Sequence, residues 1–303
     1  MQVKSKDFKS FFKEEPSKFL QKYIKGLNYN TLNQKDKNKY ILLIKKFLLE
    51  KEILKAGKKY NKKWENGWEE NFKLFKKNQN IKNLIPKYLG KYKISRINNQ
   101  LIKTNSKSFD YKIIKIITLY ILEKYLKNQR NVVEFGCGTG LNLIYLNQIN
   151  PKINLFGLDW AISSQKILKL LNKKYKNIYG YKFDYFNPKF NKKIRLQRNQ
   201  WSCFTVASLE QIGNKFKRFI KFLEKTRPNI IVNIEPLNEI LNKNKILDFL
   251  SIKYAEKRNY LKGYYTYLKK LEKNKKIKII EVKKSHFGSL YINGYSIICW
   301  KFL

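Results

Sequence analysis

"VVEFGCGTGLN", residues 132–142, decides how the rest of the chain is read. A short apolar run ends in Glu134, and Gly136, Gly138 and Gly140 then stand at alternate positions around Cys137 and Thr139. Side chains are excluded at three points of one short bend. That is the pattern of a turn whose backbone must approach something closely. Because a glycine-rich turn alone is weak evidence, its neighbours carry the decision.

Upstream, "FDYKIIKIITLYILEKYLKN" (109–128) reads as a helix that leads directly into the turn. Downstream, short apolar runs alternate with helical segments. The runs at 131–136, 153–159, 178–184, 203–208 and 229–235 read as strands, and 140–149, 162–176, 188–194, 212–226 and 238–250 as the helices between them. This alternation predicts βα units and a parallel sheet covered on both faces. Residues 252–274 read as one more helix, and "KIKIIEVKK" (276–284) with "YSIICWKF" (295–302) as an antiparallel hairpin that closes the sheet. Residues 1–80 have helical spacing, clearest in "YILLIKKFLLEKEILK" (40–55), and 81–110 read as irregular. The aromatic stripe Trp64, Trp68, Phe72 and Phe75 is read as core. The expected organisation is a helical extension or cap over 1–108 and an α/β domain over 109–303.

Eleven acids follow position 130, and five of them end the five expected strands: Glu134, Asp159, Asp184, Glu210 and Glu235. Ligands of open α/β sheets bind beyond the carboxyl ends of the strands. A ledge of carboxylates there suits a ligand with hydroxyls and amines rather than phosphates. Asp159, 23 residues after Gly136, is placed to accept both hydroxyls of a ribose. The dinucleotide fingerprint fails at its third glycine, where Leu141 stands. Glu134 beside the turn further favours a cationic ligand over a phosphate.

"VVEFGCGTG", with an acid ending the next strand, resembles motif I of the class I S-adenosylmethionine-dependent methyltransferases, over about residues 110–303. The resemblance implies a Rossmann-like, seven-stranded, mostly parallel sheet with an antiparallel last strand, here with an N-terminal helical extension, and S-adenosyl-L-methionine as cofactor. It implies that Glu134 holds the positive end of the cofactor and that the stretch Gly136, Cys137, Gly138 and Gly140 lets the backbone approach it. Asp159, followed by Trp160, would bind the ribose; Asp184 would accept from the adenine amino group, with Tyr185 or Phe186 against the ring. The segments "GLDWAISSQ" (157–165), "SLEQIG" (208–213), "IEPLNEILN" (234–242), "YAEKRNYLKGY" (254–264) and "GSLYINGYSIICW" (288–300) are similar to bacterial proteins described as sugar O-methyltransferases.

The composition is unusual: the net charge is +44 among 303 residues. Each part, 1–130 and 131–303, carries 33 basic and 11 acidic side chains, and only seven of the basic residues are arginine. A nucleic-acid face concentrates charge and favours arginine. An even spread of lysine beside abundant asparagine and isoleucine instead fits A/T-rich codons and a solvated surface. No apolar run reaches the ~20 residues that span a bilayer, and the opening segment lacks a signal-peptide core; the expected location is the cytoplasm. The three cysteines form no CxxC pair, so neither structural zinc nor a disulfide framework is expected.

Methyl transfer to a hydroxyl is helped by a general base. Glu210 is the first candidate, followed by Glu235 and Glu239, and by His286, the sole histidine. Glu210 and Glu235 could instead hold a divalent metal, although no metal is expected. Arg258, Tyr260, Tyr264 and Tyr265 either grip a substrate or pack on the domain. The expected acceptor is a hydroxyl on a small molecule or glycan. The rival readings are an RNA or protein methyltransferase and a catalytically inactive cofactor-binding regulatory module.

Overall fold

The computed structural model describes residues 1–4, 7, 8, 12, 15–57, 61–90, 92–106 and 108–303. The helical reading of residues 5, 6, 9–11, 13, 14 and 58–60 lies outside them. In chain order the first elements are α1 (Lys18–Ile24), β1 (Tyr29–Thr31), α2 (Gln34–Leu49), α3 (Asn61–Asn78), β2 (Ile94–Ile97), β3 (Gln100–Thr104) and α4 (Phe109–Leu126). There follow β4 (Asn131–Phe135), α5 (Leu141–Ile149), β5 (Asn154–Asp159), α6 (Ile162–Tyr175), β6 (Ile178–Lys182) and β7 (Ser202–Val206). The chain continues with α7 (Lys217–Thr226), β8 (Ile231–Glu235), α8 (Ile246–Lys257), α9 (Tyr264–Lys273), β9 (Ile277–Lys283), β10 (Phe287–Ser289) and β11 (Ser296–Phe302).

The main sheet has seven strands in the order β6-β5-β4-β7-β8-β11-β9. The first five are mutually parallel, and β11 runs antiparallel between β8 and β9. This is the Rossmann-like α/β arrangement expected. Its parallel strands are apolar on both faces because helices cover both. Side chains alternate accordingly: Val132, Phe204 and Val232 enter the core beneath α4, α5 and α6, whereas Val133, Phe135, Cys203 and Ile231 enter the one beneath α7 and α9. The winding reverses between β4 and β7, so the crevice of such a sheet opens beyond their carboxyl ends, where the glycine turn lies.

Residues 1–108 are not helical throughout. Their strands β1, β3 and β2 pair antiparallel, and β10, from near the other end of the chain, pairs with β2 to complete a four-stranded sheet. Asn98 and Asn99, with φ of 48° and 61°, make the two-residue hairpin between β2 and β3, where the reading of 81–110 had irregular chain. The helix expected over 252–274 is two, α8 and α9. The break falls at Asn259 and Gly263, both with positive φ. No helix forms at 188–194. Pro188 lies there, and the Asp184 and Asn191 carboxyl and amide oxygens take the N–H groups of Phe186 and Lys193 in local turns. Among the described residues no helix is long and apolar enough to cross a membrane.

The N-terminal segment is fastened to the α/β sheet by charge as well as by packing. The Glu65 carboxylate on α3 accepts the N–H groups of Ile162 (2.8 Å) and Ser163 (2.9 Å), the first turn of α6. Glu69 accepts from the Ser163 hydroxyl at 2.6 Å. Here α3 supplies the cap that α6 lacks in its own sequence, since Ala161 precedes the helix. Glu65→Ala is therefore expected to lower unfolding free energy by about 1–2 kcal/mol, the scale of a lost helix cap, with Glu65→Gln losing less. Urea denaturation checks both.

Candidate active site

The turn after β4 is built by its glycines and by one carboxylate from the next strand. Gly136 has φ +68°, and a Cβ there would lie 2.5 Å from the Ser208 Cβ; Gly138 has φ +52°, and its Cβ would lie 2.9 Å from the Trp68 ring. Both positions are closed to side chains by conformation and by space. Asp159 Oδ2 accepts the Gly138 N–H at 2.8 Å, and its Oδ1 accepts that of Ala161 at 2.9 Å. The Thr139 hydroxyl donates to the Leu84 carbonyl at 2.7 Å, so the N-terminal segment also grips the turn.

A cavity of about 330 Å³ lies against this turn. Its walls include Glu134, Gly136, Cys137, Gly138, Asp159, Trp160, Asp184 and Tyr185. Eight of the nine residues assigned to the cofactor by resemblance thus share one cavity; Gly140 instead starts α5. Glu134 is 1% exposed, and its Oε1 accepts from the Asn142 amide at 2.7 Å. Its Oε2 is buried with no hydrogen-bond partner. Such an atom costs about 1–3 kcal/mol until a donor reaches it. Burial holds the Glu134 carboxyl well above the usual carboxylate range.

A second cavity, about 620 Å³, adjoins the first. The two share Trp64, Trp68, Tyr88, Leu89, Ile114 and Ala207. The tryptophans read as core from their spacing are therefore cavity walls, while Phe75 is core, at 1% exposed. Ala207 adopts φ +48°, left-handed backbone that an alanine takes at a cost of about 1 kcal/mol. The strain lies at the junction of the two cavities, just before Glu210 is presented.

The candidate bases separate sharply. Glu210 lines the second cavity, and its Oε1 accepts from the Gln211 amide at 2.8 Å. Burial, then the neighbouring Glu235 charge, pushes its pKa up to about 8 against the pull of Gln211 and Arg258. Glu235 is fully buried and faces the backbone instead. Its two oxygens accept the N–H groups of Ser208 (3.1 Å), Leu209 (3.0 Å) and Glu210 (3.2 Å), which holds the loop that carries Glu210. Glu235, read from the sequence as a base or metal ligand, lines neither of the two cavities and positions its neighbour. His286 also lines neither cavity; it sits in the β9–β10 connection, where its carbonyl accepts the Asn98 N–H, and burial lowers its pKa. Glu239 accepts the Tyr265 N–H at the start of α9 and likewise faces neither cavity. Of the tyrosine group, Tyr264 is core, bonded to Asn233, whereas Arg258 and Tyr260 line the second cavity.

Sequence reasoning missed Tyr88, Arg96 and Asp110, all on the second cavity. Asp110 bonds the Ser95 hydroxyl, and burial raises its pKa to about 7. Its signal was present: it is an isolated acid at the start of a strongly apolar helix. Among the described residues no group of three or more His, Cys, Asp or Glu is arranged to hold a metal.

No family model matches the chain. An uncharacterized protein of Methanocaldococcus jannaschii is 27% identical to it over 199 residues, 56% of this chain and 76% of that protein. Among solved structures, human N-acetylserotonin methyltransferase in complex with SAM is 12% identical with a TM-score of 0.42, over 64% of this chain and 52% of that one. A SAM dependent methyltransferase from Aquifex aeolicus is 14% identical with a TM-score of 0.41, over 61% of this chain and 88% of that one. The mitomycin 7-O-methyltransferase MmcR is 9% identical with a TM-score of 0.46, over 65% and 56%. The chain thus spans about half the length of the first and third of these structures.

The raised carboxyls have a consequence for stability. Asp159 is moved up to about 6, Asp110 and Glu235 to about 7 and Glu210 to about 8, in each case chiefly by burial. The folded chain therefore holds more protons than the unfolded chain above the ordinary carboxylate range. Their stabilising contribution is full below about pH 4 and is lost as pH rises through the folded values. The urea midpoint is expected to fall between about pH 5 and pH 8, and Glu210→Gln to make that fall shallower.

Proposed function

We propose that the chain is an S-adenosyl-L-methionine-dependent methyltransferase that methylates a hydroxyl of a small-molecule or glycan acceptor, with Glu210 as general base. One observation carries this reading: the buried, unpartnered Glu134 Oε2 borders a cavity against a side-chain-free turn at the sheet's winding reversal. A donor-bearing, cationic ligand with an extended backbone contact satisfies that atom, and a phosphate does not. Glu134 would receive the cofactor's ammonium, Asp159 its ribose hydroxyls, and Asp184, Trp160 and Tyr185 its base. Each Asp159 oxygen already takes one backbone N–H and keeps a second lone pair for a hydroxyl.

When bound, the cofactor supplies an electrophilic methyl group on sulfur. The protein's own work is then to align the acceptor, exclude water and take one proton. The aromatic walls shared by the two cavities exclude water at their junction. Glu210 stands just beyond it, and a carboxyl moved up toward 8 is a base matched to neutral solution. A chamber of about 620 Å³ is sized for a small molecule rather than a macromolecular acceptor. Lysine is spread evenly between the two parts of the sequence, and only seven of the basic residues are arginine, which does not favour an RNA acceptor.

Asp159→Ala is expected to weaken cofactor binding by roughly 1.5–3 kcal/mol, the scale of a lost charge-assisted hydrogen bond; titration calorimetry with S-adenosyl-L-methionine reads it, and an unchanged affinity rejects the site. Glu210→Gln should slow transfer of labelled methyl by about 10²–10⁴-fold while leaving cofactor affinity in place. In the unsubstituted protein the rate should climb with pH through about 8, because only the ionised carboxyl accepts a proton.

A further inference from the structure

The second cavity contains a buried cation that the proposed chemistry does not use. Arg96, on β2, is 1% exposed and lines that cavity. Its Nη1 donates to the Leu247 carbonyl at 2.7 Å and the Ser251 hydroxyl at 2.6 Å, and its Nη2 donates to the Leu290 carbonyl at 2.7 Å. All three acceptors are neutral. Its Nε is buried with no hydrogen-bond partner. An acid that acts on it, Asp248, is bonded instead to Lys284, Asn293 and the Asn242 N–H. A guanidinium removed from water without a bonded anion is costly, and a carboxylate that reaches the unpartnered Nε–H offsets that cost with a strong, directional contact.

The rest of the chamber agrees with an anion. Of its three acids, Glu70 is paired with Lys87 at 2.7 Å, Glu210 is moved up to about 8 and is mostly uncharged in neutral solution, and Asp110, moved up to about 7, is only partly ionised. Arg258 adds a second guanidinium to the lining. One wall is a run of rings: Tyr254 stacks on Tyr291 at 5.3 Å and on Phe47 at 5.4 Å, and Tyr92 meets Tyr291 edge-on at 5.6 Å. Such a wall takes a ring by its face.

Resting on the methyltransferase reading, we propose that the second cavity is the acceptor chamber and that it selects a ring-bearing hydroxy acid, with the carboxylate on Arg96 and the hydroxyl toward Glu210. The test begins with calorimetry of S-adenosylhomocysteine. No binding of that compound removes the methyltransferase reading itself. With the product analogue saturating, 4-hydroxybenzoate is titrated against 4-hydroxybenzyl alcohol, and glucuronate against glucose. The expected result is that at least one acid binds about tenfold or more tightly than its neutral counterpart. Arg96→Met should abolish that preference while keeping S-adenosylhomocysteine affinity. If neither acid binds, or acid and neutral partner bind alike, the acceptor class is wrong although the cofactor site stands. If the preference survives in Arg96→Met, the assignment to Arg96 is wrong. Should Arg96→Met fail to fold, the comparison on the unsubstituted protein decides alone.

Discussion

The carboxylate of Asp159 is the tie on which the site depends. It ends β5, yet one oxygen holds the Gly138 N–H in the turn after β4 and the other holds the Ala161 N–H before α6. Two strand ends and a helix entrance are thereby fixed to one another by a single side chain. The positive φ of Gly136 and Gly138 is affordable because the turn is pinned in this way and pressed from outside by Trp68 and Ser208. An apolar residue at 159 would leave the Gly138 N–H without its acceptor and release the bend that shapes the first cavity.

A chain with 66 basic and 22 acidic side chains has little negative charge, and it nonetheless buries four of its acids, Asp248 among them. Glu134, Asp159 and Glu235 are each at most 5% exposed. Low polarity around them favours the protonated form, and it also makes any cation or N–H that reaches them worth more than it would be in water. The lysines do the opposite work: where ion pairs form they are mostly on the surface, as Lys87–Glu70 and Lys253–Glu256 are, and contribute little each. The exposed ion pairs are thus of little weight, whereas the few buried titratable groups, Arg96 among them, sit where an interaction counts for more.

The sheet was legible because its signals are local. The five parallel strands fall where apolar runs of the right length occur, and their terminal acids mark the crevice. One side of the first cavity was legible for the same reason, since Glu134, Asp159 and Asp184 stand at consecutive strand ends. What escaped was assembled from a distance. Trp64 and Trp68 have helical spacing whether they face a core or a cavity, and only α6, about a hundred residues later, decides which. Glu235 and Glu210 look alike in sequence; the backbone of residues 208–210 turns the first into a scaffold and leaves the second facing the chamber. Arg96 lies on a strand whose last partner is β10, nearly two hundred residues on, so no window of sequence could reveal its surroundings. The break between α8 and α9 rests on Asn259 and Gly263, which a helical period tolerates until their backbone angles are known.

That late partner also governs how the molecule can be made. The small sheet that opens the chain cannot be finished until residues 287–289 have left the ribosome, and the acceptor chamber it borders cannot close before then. Until then one edge of β2 lacks its partner, and the α/β sheet is likewise incomplete, since β11 follows β10 in the chain. The amino-terminal piece is therefore not a module to be cut away or transplanted: a fragment that lacks the final strands would expose the same apolar edge permanently.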